Sequence, residues 1–300
     1  MKLYSKFLKR HWAKVAIEDK ERLAKQTAPD GIVEINDIPY MNNDNTDHLL
    51  DVYYPEGTDA PLPVIFDIHG GGWTYGTKEN NKYYNMHLAA HGFTVVNINY
   101  RLLYDFGIEH IVQDIFAALN WLEAHHEQYH CDLNNLFITG DSAGGHLAAL
   151  TAALLTNKEA QAVYEVESNL KIKAGGFVCS AFALDKVFRL PIAGKMFAYL
   201  MFKSKKYKQS KYYPYCSFDK VVKGAFIPSY VVSSADDFIK FLTFDFVKYA
   251  QKMDIPHQFR FWEKQKDKKL YHIFSVTYPS SKEGKLTNKE MCDFFKNYIT

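Results

Sequence analysis

Gly140-Asp-Ser-Ala-Gly-Gly145 places one hydroxyl among residues small enough for a very tight turn. An apolar run, Leu136-Phe-Ile-Thr139, precedes it, and a helical run, His146-Leu-Ala-Ala-Leu150, follows. Gly-x-Ser-x-Gly between a strand and a helix is the pattern of a nucleophile elbow, in which a strained turn exposes the serine oxygen. The helix beyond Ser142 points the positive end of its dipole toward that oxygen. A second glycine cluster, His69-Gly-Gly-Gly-Trp73, ends another apolar run upstream. Three successive glycines let backbone N–H groups converge on one point, where they stabilise an oxyanion as it forms. The N–H groups of Gly71, Gly72 and Ala143 are the candidates. His69 reads as a residue that ties the loop down. A phosphate cradle would need a Gly-Lys-Ser/Thr ending or a GxGxxG after the strand, and neither is present.

Such groups need rigid elements to hold them. Runs of strand formers fall at Ile32–Asn36, Leu49–Tyr54, Val64–His69, Thr94–Tyr100, Leu136–Gly140, Ala174–Cys179, Tyr230–Ser233 and His257–Phe261. Several are continuously apolar, as strands covered on both faces are. Helical patterns lie between them at Lys82–Ala90, Ile108–Glu127, Gly145–Leu155, Phe241–Met253 and Thr287–Tyr298. The alternation predicts an α/β protein with a mostly parallel sheet of eight strands. No repeat or low-complexity linker divides residues 1–300, so one domain is expected.

Two segments stand outside that alternation. Leu3, Phe7, Leu8, His11, Trp12 and Val15 form an amphipathic stripe, which predicts an N-terminal helical element within residues 1–30 that docks on the protein's own body. From Asp185 to about Lys223 runs an insertion rich in Phe, Tyr and Lys, expected to be a helical lid. Its lysines, Lys203, Lys205, Lys206, Lys208 and Lys211, read as a solvated face.

Composition narrows the rest. Lys and Arg total 36 against 34 Asp and Glu, a net charge of +2, which argues against nucleic-acid binding through the phosphate backbone. No apolar run reaches the ~18 residues of a membrane span. The basic N-terminal stretch lacks the apolar core of a signal peptide, and the four cysteines show neither pairing nor metal-ligand spacing, so a cytoplasmic protein without disulfides is expected. His110, His125, His126 and His130 offer no third ligand to the i, i+4 pair and read as surface residues.

The chain resembles the hormone-sensitive-lipase-like branch of the α/β-hydrolases, and within it the bacterial acetylesterases and carboxylesterases. The likeness covers about residues 48–280. It rests on His69-Gly-Gly-Gly-Trp-Thr-Tyr-Gly76, Asn99-Tyr-Arg-Leu102, Asp114-Ile115, Trp121-Leu122 and Gly140-Asp-Ser-Ala-Gly-Gly145. It implies the α/β-hydrolase fold and a triad in the order serine, acid, histidine. The acid falls in Ser234-Ala-Asp-Asp237, after an apolar run. Similarity to family segments favours Asp237, while Asp236 stays open as the alternative. The histidine is His272, in Leu270-Tyr-His-Ile-Phe274, where Ile273 replaces the family's glycine. His257 begins a strand and reads as a packing or capping residue.

The resemblance implies a serine esterase for short acyl chains, acting on a small-molecule ester with no cofactor and no metal. Two alternatives share the scaffold: an amidase or formamidase, and a non-catalytic ligand-binding protein. No stable membrane association is expected, and a homodimer stays open.

Overall fold

All eight expected strands form, and they join one sheet in the order β1-β2-β4-β3-β5-β6-β7-β8. The structure is a computed structural model that describes residues 2–300, with side chains from Leu8 onward. The strands are β1 (Ile32–Pro39), β2 (Leu49–Pro55), β3 (Leu62–Ile68), β4 (Thr94–Ile98), β5 (Cys131–Asp141), β6 (Ile172–Val178), β7 (Ser229–Ser234) and β8 (His257–Trp262). Strands β1, β2 and β4 pair antiparallel. From β4 to β8 every pairing is parallel. This is the α/β-hydrolase fold, with helices on both faces.

The unbroken apolar runs follow from that double cover. Alternate residues of a strand face opposite sides of the sheet. Val64, Phe66 and Ile68 of β3 pack in one cluster with α3 (Ile108–His125) and α4 (Ser142–Leu154); Ile65 belongs to the other, with α2 (Lys82–Ala89) and α11 (Lys282–Lys296). Neither face of β3 meets water, so no polar alternation is left in its sequence.

Three elements differ from expectation. The N-terminal helix α1 runs from Lys2 to Leu23, within the expected 1–30 element but eight residues beyond Val15, the last residue of the stripe. Its last turns are held by polar contacts rather than by apolar periodicity; the side chains of Leu3 and Phe7 lie outside the described residues. Helix α5 (Lys158–Tyr164) was not anticipated; the Asn157 side chain caps it by accepting the Ala160 N–H at 3.1 Å. The insertion is broken into α6 (Leu184–Val187), α7 (Ala193–Phe202), two 3₁₀ turns and α8 (Phe218–Val221). Its aromatic residues pack on each other: Phe188, Phe202, Tyr207 and Tyr213 have ring centroids 5.5–6.1 Å apart. Two more helices complete the chain, α9 (Lys240–Lys252) and α10 (Phe274–Thr277).

One polar cluster ties the sheet edge to the loop after Trp73. Lys78, 2% exposed, sends its ammonium to Asp37 (2.8 Å), Asp51 (2.8 Å) and Glu79 (2.7 Å). Burial alone would lower the Lys78 pKa, but three carboxylates outweigh it and raise it. Removing the ammonium strands Asp51, which is equally buried. Lys78→Met is therefore expected to lose about 3–5 kcal/mol of stability at pH 8, measured by urea unfolding. The deficit should narrow as the pH falls, because burial raises the Asp51 pKa and a protonated Asp51 no longer carries an unpaired charge.

Candidate active site

Four loops meet beyond the C-terminal ends of parallel strands, the edge of an open α/β sheet where ligand crevices form. The β5–α4 turn carries Ser142 at φ +52, an uncommon conformation for a residue with a side chain. Its glycines are there for want of space. A Cβ on Gly144 would stand 1.9 Å from the Ile68 carbonyl oxygen, and one on Gly140 would stand 2.5 Å from that of Gly144.

The loop after β7 carries Asp237 and the loop after β8 carries His272. With the proton on Nδ1, the His272 ring donates to Asp237 Oδ1 at 2.7 Å and accepts from the Ser142 hydroxyl through Nε2 at 2.9 Å. Asp237 is buried and also accepts from the Ser233 hydroxyl (2.7 Å) and the Ile239 N–H (3.0 Å). Burial pushes its carboxyl up, but the His272 hydrogen bond and charge, with these two donors, leave it below the ordinary value. Asp236 points elsewhere: its Oδ2 accepts the Leu270 N–H at 3.0 Å. His257 contacts the Ile255 carbonyl at 2.8 Å.

The glycine loop after β3 sits opposite. Gly71 and Gly72 have φ values of +108° and +59°, and a Cβ on Gly71 would collide with the Tyr75 carbonyl oxygen at 1.9 Å. Ala143 stands at the start of α4 beside them, and all three residues line one cavity with Ser142 and His272. His69 is buried with its Nδ1 2.8 Å from the Gly70 carbonyl and its ring stacked on Tyr100. Burial lowers its pKa to about 4, so it stays neutral near pH 7.

Several contributors were not read from the sequence. Asp141, just before the serine, accepts the Gly70 N–H at 3.0 Å and the Asn81 amide at 2.9 Å. That amide also reaches Asp67, at 3.0 Å. Cys179 Sγ accepts the Ile273 N–H at 3.4 Å, and its sulfur lies among the Asp237 and His272 ligand atoms. All four cysteines are free and buried. Ile273 itself adopts φ +54, where the family motif has glycine.

Helix α1 closes the top. The Trp12 indole N–H donates to the Thr74 hydroxyl at 2.9 Å, and its ring stacks on Tyr75 with centroids 4.8 Å apart. Asp19 accepts from the Tyr75 hydroxyl (2.8 Å), the Asn80 amide (3.0 Å) and Arg22 (2.9 Å). Arg22 and Gln26 reach across to the Thr277 carbonyl of α10. The cavity beneath is about 590 Å³, walled by Trp12, Val15, Phe197, Leu190 and Leu242.

A family model described as BD-FAE matches residues 50–191. The chain is 36% identical over 157 residues to the probable carboxylic ester hydrolase LipM of Mycobacterium tuberculosis, spanning 51% of this chain and 35% of that protein. It is 29% identical over 136 residues to Esterase LipC of the same organism, spanning 45% and 34%. The chain thus covers about a third of the length of these curated relatives. Among solved structures, Esterase B from Lactobacillus rhamnosis is 28% identical with a TM-score of 0.93, covering 99% of this chain and 96% of that one. A bacterial heroin esterase, 19% identical with a TM-score of 0.73 over 98% and 92%, shares the fold. The chain is thus similar to α/β-hydrolase esterases, and it shares their fold. Among the described residues, no helix is long and apolar enough to cross a membrane.

Asp19 is the acceptor on which the end of α1 depends. Asp19→Ala removes three donors' partner at once, each bond contributing about 1 kcal/mol. Trypsin cleavage after Lys20, Arg22 or Lys25 is expected to accelerate by on the order of tenfold through local opening, while the sheet stays intact. Mass spectrometry of the timed digest checks it.

Proposed function

We propose that this protein is a serine carboxylesterase that hydrolyses short-chain acyl esters through Ser142, His272 and Asp237. The observation that carries the reading is the unbroken hydrogen-bonded line from Ser142 through His272 to a buried Asp237, opening on a cavity. The likeness to Esterase B, a protein inhibited by a tributyrin phosphonate, supports an ester substrate.

In the proposed reaction the Ser142 oxygen attacks the ester carbonyl as His272 Nε2 takes its proton. Asp237 keeps the ring in the tautomer that accepts there and stabilises the imidazolium. The carbonyl oxygen becomes an oxyanion held by the N–H groups of Gly71, Gly72 and Ala143. Among the described residues, neither glycine N–H is committed to a protein acceptor. The C–O bond then breaks, the alcohol leaves with the proton from His272, and an acyl-serine remains. Water, deprotonated by the same ring, cleaves it and releases the acid.

The wall above the glycine loop supports the short-chain preference. Trp12 and Phe197 stand 3.3 and 3.6 Å from where a Gly72 Cβ would be, so an acyl chain meets aromatic rings close to the reacting carbon. Free cysteines suit a reducing compartment, and we place the protein in the cytoplasm.

Hydrolysis of p-nitrophenyl esters from acetyl to dodecanoyl tests the reading. Ser142→Ala should lower kcat by roughly 10⁴–10⁶-fold. Asp237→Ala should cost on the order of 10⁴-fold, and Asp236→Ala much less. Activity lost in Asp236→Ala and kept in Asp237→Ala would reverse the assignment of the acid. Folded protein that cleaves amides and no ester would replace the esterase reading with an amidase.

A further inference from the structure

Phe238 is a large apolar side chain beside the serine–histidine–aspartate line that the reaction above does not use. The residue is 73% exposed, while Asp237 before it and Ile239 after it are 1% and 8% exposed. It is nonetheless not loose. The turn that projects it is the turn that fixes the acid: Asp237 N–H donates to Ser234, Ile239 N–H donates to Asp237, and the Lys240 ammonium donates to the Ala235 carbonyl. The ring leans on the His272 imidazole, with centroids 4.5 Å apart at 54°, and lines the cavity that holds Ser142. An aromatic ring exposed to water at this point carries a cost that contact with a bound apolar group would offset.

Which part of an ester it would touch follows from the chemistry. The alcohol oxygen must come within hydrogen-bond reach of His272 Nε2 to collect its proton, so the group it bears passes beside the imidazole. The carbonyl oxygen faces the glycine loop instead. Around Phe238 the cavity continues over Ile239 and Leu242. Val187 and Leu190 also line it, from the segment that the Lys186–Asp245 ion pair holds against α9. Apart from the triad and Asp141 beneath the glycine loop, the carboxylate and guanidinium residues that line the cavity are Glu18, Asp19 and Arg22, all on α1. The side from which the alcohol leaves is therefore apolar and edged by an aromatic ring.

We propose that Phe238 is a specificity-determining residue that binds the alcohol part of the ester, selecting esters of alcohols that carry an aromatic ring. The proposal rests on the esterase reading above and names the substrate class for that site. Benzyl acetate and ethyl acetate test it, because both release a poorly acidic alcohol and differ mainly in the ring. In Phe238→Ala the ratio of kcat/KM for benzyl over ethyl acetate should fall about tenfold, through KM for the benzyl ester, the size expected for an aromatic pair. Phe238→Tyr should restore the ratio, whereas Phe238→Leu, which keeps apolar bulk, should not. The ratio of ethyl butyrate to ethyl acetate should be the same in all four proteins.

An unchanged benzyl-to-ethyl ratio in both Phe238→Ala and Phe238→Leu overturns the proposal. So does an equal loss of kcat on both esters, which would make the ring a prop for His272. Wild-type protein inactive on every ester, or active with Ser142→Ala, would instead remove the esterase reading beneath it.

Discussion

The position of the glycine loop relative to the serine depends on one buried carboxylate. Strands β3 and β5 pair in parallel with Ile68 opposite Gly140, so the chains leaving them emerge side by side. Asp141 spans the gap by accepting the Gly70 N–H. There is no slack around this bond: a Cβ on Gly70 would stand 2.2 Å from the other Asp141 oxygen. The carboxyl is fully buried, and burial raises its pKa against the pull of Asn81, the His272 charge and the Gly70 N–H. Behind it Asp67 is raised to about 7, first by burial and then by the Asp141 charge. Two carboxylates cannot both ionise cheaply in such a place. The single Asn81 amide that faces both, with Asn85 on Asp67, supplies the donors that make the pair tolerable.

From Asn81 the constraint runs outward. Asn81 closes the 3₁₀ turn Lys78–Asn81, whose first residue is the buried Lys78 with its three carboxylates. The Lys78 backbone is pinned at both ends, its N–H donating to Asn99 Oδ1 and its carbonyl accepting from the Asn97 amide. The next residue back from Asn81, Asn80, donates to Asp19 of α1. One short turn therefore couples the sheet edge, the carboxylates under the glycine loop and the helix above the cavity. The coupling is contiguous and polar, and Asp19, Asn80, Asn81 and Asp141 bring it to one wall of the cavity.

What the sequence disclosed follows the range of the forces involved. The elbow and the glycine loop were legible because their demands are local: a backbone carbonyl 1.9 Å from a would-be Cβ admits only glycine, whatever surrounds it. The strands were legible because burial on both faces strips them of polar residues. Choosing between Asp236 and Asp237 was not a local matter. The two are adjacent and chemically identical, and what separates them is that one faces His272, 35 residues on, and the other the Leu270 N–H. Asp19, Arg22 and Thr277 were invisible for the same reason. Apart from the Asp19–Arg22 pair within α1, their partners lie 56 to 255 residues away, and no spacing rule connects those. Helix α5 was missed because seven residues are too few to display a period, and its stability comes from the Asn157 cap and from Tyr164 buried against the insertion.

Ile273 marks the place where this chain departs from the pattern of the esterases it resembles, and the structure gives the physical terms of that departure. At φ +54 a glycine costs nothing, while a β-branched residue is a genuine outlier, at about 1–2 kcal/mol. The strain persists because the surroundings fix the residue from both sides. Its N–H is taken by Cys179 Sγ and its carbonyl by the Val276 N–H. Its side chain packs against the core cluster that contains Phe274 and Val276. Cys179 is itself left-handed, at φ +47, so two strained residues meet through one N–H···S contact beside the Asp237–His272 pair. Glycine would remove the strain and with it the packing, leaving the residue after His272 free to sample more of conformational space. The isoleucine trades local energy for a loop with fewer alternatives, next to an imidazole that hydrogen-bonds a serine 130 residues away.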